Sequence, residues 1–343
     1  MKSKSLDRKL AAIHADPHGS REFLIADAKD ADMAFGLRAT GQLYDGGGKP
    51  TRSRTLAEYR DEMRAIVKQG LVDIMLMSNS TSEQLTLKER IFDHSTVTPA
   101  IRANDTTDIW LMRGSALGDK ASRPFRSATI NHARTGRIDD EHCDRISGAN
   151  LGLYSITFAN DRDRDWEALT AYAAFREEAE RKRFRHFLEV FHPNVPGAVP
   201  AEEVVHFVSD AIVRTLAGVT SAGRPAFLKI PYPGPRALED LVAYDPHLVV
   251  GVLGGSAGTT RDAFQLIHDA RKHGARVALF GRKINEAESQ LLFIQHLRDI
   301  VDNNLAPAEA VRSYHAALKT QSISSRRSLE DDSRITATSL SYS

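Results

Sequence analysis

One cysteine, Cys143, is all that 343 residues supply. It cannot close an intrachain disulfide, so a reducing compartment is expected. Charge of one sign is also missing: 46 basic against 45 acidic side chains leave a net charge of +1. That balance offers no electrostatic footing for nucleic acid or an anionic membrane surface. No apolar run is long enough to span a bilayer, and Met1 to Leu10 is basic and polar with no apolar segment behind it. The expectation is a cytoplasmic, soluble protein without a signal peptide. The 13 histidines show no His-x-x-x-His or comparable spacing, so neither metal nor cofactor is expected. Gly46-Gly47-Gly48-Lys49-Pro50 is not a phosphate-binding P-loop, because Pro50 replaces the hydroxyl residue and Leu43 the first glycine. No dinucleotide fingerprint follows the first strand, whose turn holds Asp27 and Lys29.

What is present is an alternation of strand-length apolar runs with helix-length amphipathic ones, the pattern of a parallel sheet with crossover helices. Eight strands are predicted: Phe23 to Ala26, Val72 to Met77, Ile109 to Met112, Leu151 to Phe158, His186 to Phe191, Ala226 to Ile230, Leu248 to Leu253 and Arg276 to Phe280. Helices are predicted over Leu56 to Gln69, Trp166 to Arg183, Ala201 to Leu216, Thr260 to His273, Glu286 to Val301 and Pro307 to Leu318. Eight strand–helix pairs point to an α/β fold, a closed (β/α)8 TIM barrel with extended loops over its C-terminal face. An open doubly wound sheet is the alternative. A single barrel domain over residues 1–320 is expected. The polar tail, 321–343, rich in Ser, Arg and Asp, is expected to be disordered.

The chemistry concentrates in the last third. Phe227-Leu228-Lys229-Ile230-Pro231-Tyr232-Pro233-Gly234 sets one lysine in an apolar strand. Such a lysine must find a partner, reach water or lose its proton, and an unprotonated amine attacks carbonyls to form a Schiff base. Strand ends at the C-terminal face of a barrel carry its active site, although a lysine that merely snorkels to water is the plainer reading. The next two strands end in Gly254-Gly255-Ser256 and Gly281-Arg282. Glycine backbones admit an anion closely, a following helix N-terminus adds its dipole, and arginine forks match phosphate oxygens. Glycine turns for tight packing and a surface arginine would account for the same residues. Strand alternation puts Phe187, Glu189 and Phe191 on one face, so an inward Glu189 is expected to pair with Lys229 or shuttle its proton. Arg113, after the expected third strand, is either a further active-site cation or a solvated loop residue.

The segment from Phe227 to about Gln290 resembles archaeal-type class I fructose-bisphosphate aldolases. More distantly, it is similar to the deoxyribose-phosphate and tagatose-bisphosphate aldolase superfamily. The resemblance rests on Lys229-Ile230-Pro231-Tyr232 with Gly234, on Gly254-Gly255-Ser256 and on Gly281-Arg282. It implies that Lys229 forms the Schiff base and that the two glycine segments contact phosphate. It also implies a proton-transfer role for Asp27 at the end of the first strand, and an acid/base role for a strand-four tyrosine, Tyr154 being the nearest match. A capping carboxylate and a core tyrosine are the alternatives. The histidine or glutamine that usually follows the aspartate is replaced by Ala28 and Lys29. The implied activity is a homo-oligomeric lyase that makes or breaks a carbon–carbon bond in a sugar phosphate. Transaldolase-type or acyl-transfer chemistry, or non-catalytic sugar-phosphate binding, are the alternatives.

Overall fold

The computed structural model describes residues 3–45, 49–138, 147–255 and 258–341. Eight parallel strands form one sheet: β1 (Leu24–Lys29), β2 (Ile74–Met77), β3 (Thr98–Arg102), β4 (Leu151–Thr157), β5 (Arg185–Phe191), β6 (Leu228–Lys229), β7 (Gly251–Leu253) and β8 (Val277–Phe280). Each strand pairs with its neighbours in chain order, and β8 pairs with β1. A parallel bridge between Ile230 and Val252 closes the ring, with the Leu228 amide donating to Val249 O at 2.9 Å. The sheet has no open edge, so the chain is a (β/α)8 barrel and not a doubly wound sheet.

Alternation sorts the strand residues between two cores. Leu24, Ala26 and Ala28 of β1, with Leu151, Leu153 and Phe187, fill the barrel interior. Phe23 and Ile25, with Tyr154 and Leu188, face the surrounding helices. The helix Ser5–Ala15 presents Leu6, Leu10 and Ile13, spaced by four and three residues, to the interior cluster. They are buried among residues such as Leu24 and Val277 that begin the strands, which puts this helix under the barrel floor.

The helix Leu56–Gln69 forms as the sequence predicts. A capping box between Thr55 and Glu58 starts it and Gly70, in the left-handed conformation, ends it. The predicted helix over Glu286 to Val301 is observed as Gln290–Asn303, and a separate helical turn, Arg282–Asn285, precedes it. A helix that periodicity passed over, Pro235–Tyr244, connects β6 to β7.

Two expectations are corrected. The third strand is Thr98–Arg102, whereas the predicted Ile109 to Met112 is a 3₁₀ turn (Thr107–Ile109) running into a loop where Leu111 and Met112 are exposed. Pro99 disguised the true strand. Its missing N–H is tolerated because it shares the parity of Ala103, which donates toward β4, and β3–β4 pairing begins only at Ile101. The described part of the C-terminal tail, 321–341, packs onto the barrel, with a helical turn at Leu329–Asp332 and Leu340 buried. Its polarity serves the helix Thr260–Lys272: Asp332 Oδ1 accepts from the Thr260 amide (2.7 Å), and Asp262 Oδ1 accepts from the Thr336 amide (2.7 Å). Among the described residues, no helix is long and apolar enough to cross a membrane.

Candidate active site

Lys229 ends β6 with its side chain toward the barrel axis, directly in register with Glu189 of β5. Its Nζ lies 2.6 Å from Glu189 Oε1, and the two side chains are 9% and 1% exposed. Burying such a pair is tolerable only when the remaining lone pairs are satisfied. They are. Ser155, in register with Glu189 on β4, donates its hydroxyl to Glu189 Oε2 at 2.6 Å. Arg102, the last residue of β3, donates Nη1 to Ser155 Oγ (2.9 Å) and brings Nη2 to 3.5 Å from Glu189 Oε2. Its Nε donates to Asp30 Oδ2 at 2.9 Å. Two carboxylates and two cations from four strand ends thus form a neutral, nearly dry ring. Asn104 fixes Ser155 by bonding both its amide (2.7 Å) and its carbonyl (2.9 Å).

This ring borders a cavity of about 210 Å³. Gly254, Gly255, Gly281 and Arg282 line the same cavity, so the structure brings together the lysine, the glutamate and the described part of both glycine segments. Ser256 lies outside the described residues, as do Gly46, Gly47, Gly48 and Cys143. A Cβ on Gly254 would stand 2.4 Å from Phe280 Cδ1 and 2.9 Å from Phe280 Cα. Gly255 has φ +69°, a conformation that L side chains rarely adopt. Packing and backbone geometry therefore require glycine here independently of any ligand. Arg282 is exposed at the rim, and its guanidinium has no hydrogen-bond or ion-pair partner among the described residues. Behind the loop, Lys283 Nζ (2.6 Å) and Arg327 Nη1 (3.1 Å) both donate to Gly258 O and brace the turn. Burial lowers the Lys283 amine to about 8.

The helix dipole expected to face an anion is already used. The first turn of Thr260–Lys272 is capped by Thr259 and Asp262 and closed by Asp332.

Two expected proton-transfer residues stand elsewhere. Asp27 has the parity of Ile25, so it faces the helix layer. It is fully buried 3.8 Å from Lys29 Nζ, and neither carboxylate oxygen accepts a hydrogen bond among the described residues. Burial raises its pKa to about 7 against the opposing pull of Lys29. Lys29 donates to Asn285 Oδ1 (3.2 Å) and Gln290 Oε1 (2.7 Å), and burial lowers its pKa. Tyr154 packs against Tyr172 (4.9 Å between centroids) and Phe175 (4.6 Å) under a helix, and burial pushes its phenol up. The inward polar residues of the same two strands are Asp30, just past the end of β1, and Ser155, next to Tyr154. Arg113 is exposed and does not line the cavity.

Sequence reasoning passed over Asp30, Arg102 and Ser155. Asp30 was accessible, since Ala26, Ala28 and Asp30 form one alternating face. Arg102 was hidden with its strand. Ser155 had no signal, because apolar residues occupy both faces of β4 and a serine among them marks neither.

No protein-family model matches the chain, and no curated protein matches its sequence. Solved structures do share the fold. One is a Schiff-base-forming fructose-1,6-bisphosphate aldolase, at a TM-score of 0.60 and 17% identity over 87% of this chain and 100% of that one. An archaeal fructose 1,6-bisphosphate aldolase aligns at 0.60 and 15% identity over 87% and 99%. A fructose-bisphosphate aldolase from Slackia heliotrinireducens aligns at 0.64 and 13% identity over 92% and 94%. At such identities the likeness establishes the barrel and nothing finer.

Proposed function

We propose that this protein is a class I aldolase, a lyase that makes or breaks a carbon–carbon bond in a phosphorylated ketose through a Schiff base on Lys229. The observation that carries the proposal is the Lys229–Glu189 contact of 2.6 Å at the base of a cavity bordered by two glycine turns and Arg282. The aldolase activity named for the structural neighbours supports the same reading.

Glu189 takes the ammonium proton of Lys229, and the freed amine adds to the ketone carbon. The carbinolamine loses water to give an iminium. Cleavage then removes the proton from the hydroxyl on the carbon β to the iminium carbon. That hydroxyl carbon becomes an aldehyde as the electron pair of the broken bond flows into the iminium and leaves an enamine. Protonation of the enamine carbon and addition of water return the ketone and the amine. Glu189, its charge supported by Arg102 and Ser155, is the base within reach of Lys229 and the candidate shuttle for these protons. The Gly255 amide, with Gly281 and Arg282, holds the phosphate, and Gly254, whose own amide donates to Leu279 O at 2.7 Å, shapes the turn that presents it. The family resemblance implies the same role for Ser256.

A non-catalytic sugar-phosphate-binding barrel is favoured by one feature of the same site, the full ion pairing of Lys229 at rest. Turnover separates the two. Aldehyde release from a panel of ketose phosphates should be measurable in the native chain and lost in Lys229→Met. Binding of the panel without release in either protein would establish the non-catalytic reading.

A further inference from the structure

We propose that the aldehyde released or accepted at this site carries no phosphate and has an apolar substituent, so that the substrate is a ketose monophosphate. The inference rests on the aldolase reading and concerns which aldehyde the cavity admits.

Charge accounting gives the first argument. Three cations line the cavity: Arg102, Lys229 and Arg282. Arg102 is committed to Asp30 and Glu189, and Lys229 is the nucleophile. Among the described residues that line the cavity, Arg282 alone remains for an anion, and it sits with Gly254, Gly255 and Gly281 at the ends of β7 and β8. One phosphate is therefore accommodated. The second argument is the wall supplied by the loops after β1 and β3, the latter four strands from β7 across the ring. It consists of Ala31, Ala34, Phe35, Ile109 and Leu111. The two loops are tied together, with the Leu111 amide donating to Ala34 O at 3.0 Å and Arg38 Nη2 to Leu111 O at 3.1 Å. Beyond the rim they expose Leu37 (82%) and Met112 (47%), so the apolar surface continues outward. A second phosphate against this wall would lose water without meeting a cation that lines the cavity, since Arg38 lies outside the lining and donates Nη2 to Leu111 O. An alkyl or deoxy chain would gain by burial there.

The test runs the reaction in the synthetic direction on the full chain, with dihydroxyacetone phosphate as ketone. Butanal and glyceraldehyde 3-phosphate serve as alternative aldehydes. The expected result is a kcat/KM for butanal at least about tenfold above that for glyceraldehyde 3-phosphate. Leu111→Arg, at a position already 41% exposed, should move that ratio about tenfold toward the phosphorylated aldehyde by placing a cation on the wall. Equal rates, or a preference for glyceraldehyde 3-phosphate, overturn the inference. Borohydride trapping of dihydroxyacetone phosphate alone keeps the two claims apart. If Lys229 is labelled but the phosphorylated aldehyde is preferred, only the inference fails. If Lys229 is not labelled, the aldolase reading fails with it.

Discussion

Glu189 and Lys229 are cross-strand partners in register, and their side chains meet at 2.6 Å where the barrel opens into its cavity. The neighbouring strands complete the arrangement, because Ser155 stands in register with Glu189 on its other side and Arg102 spans both. A carboxylate held in this way can take a proton from the amine without leaving its hydrogen bonds.

Glu189→Gln keeps the shape and removes the base. It should lower kcat by about 10²–10⁴-fold, the usual range for a general acid–base group, while the far-ultraviolet circular dichroism spectrum stays native. Steady-state aldehyde release checks it. A decrease below about threefold would remove Glu189 from the chemistry.

Arg102→Met should be costly in stability. The variant leaves Asp30 without its cation in a site where Arg102 is 5% exposed. Breaking such a pair from one side costs about 3–5 kcal/mol. Urea unfolding monitored by tryptophan fluorescence measures the difference directly.

Tyr154→Phe should leave kcat within about threefold of the native value, since a group with no contact to the transition state cannot stabilise it. The hydroxyl belongs to an outward side chain packed against Tyr172 and Phe175. A loss of two orders of magnitude would return Tyr154 to the acid/base role that the family resemblance implies.

Acid stability carries a definite sign through His186. This buried ring is 2.9 Å from the Tyr172 hydroxyl, and burial, helped by Arg176, depresses its pKa from 6.5 to about 3. The unfolded chain therefore binds a proton that the folded one refuses between those values. Stability falls as pH drops through that window, by up to about 1.4 kcal/mol per pH unit from this group. His186→Gln should flatten the fall in unfolding midpoint between pH 6.5 and 4, measured by differential scanning fluorimetry.

Much of this was legible before any coordinates. The lysine run and the two glycine-ended strands stand out because each has apolar residues bounded by turn chemistry, and Glu189 follows because β5 places it between Phe187 and Phe191. Parity was readable where one face carries a distinctive residue and unreadable on β4, where Leu153 and Tyr154 serve different cores with equal hydrophobicity. Pro99 concealed β3, and Arg102 with it, because the proline penalty depends on which neighbour its nitrogen faces. The tail shows a different limit. Its serines and aspartates resemble a solvated segment, yet Asp332 supplies an acceptor that a distant helix N-terminus requires, and the Thr336 amide donates to Asp262 of that helix.

The most direct test is borohydride reduction of the full chain with dihydroxyacetone phosphate, followed by intact mass and peptide mapping. One adduct is predicted, on the peptide containing Lys229, present in Lys29→Met and absent in Lys229→Met. An adduct on Lys29 or Lys283, the other buried lysines, or no adduct under conditions of measurable turnover, would contradict the account.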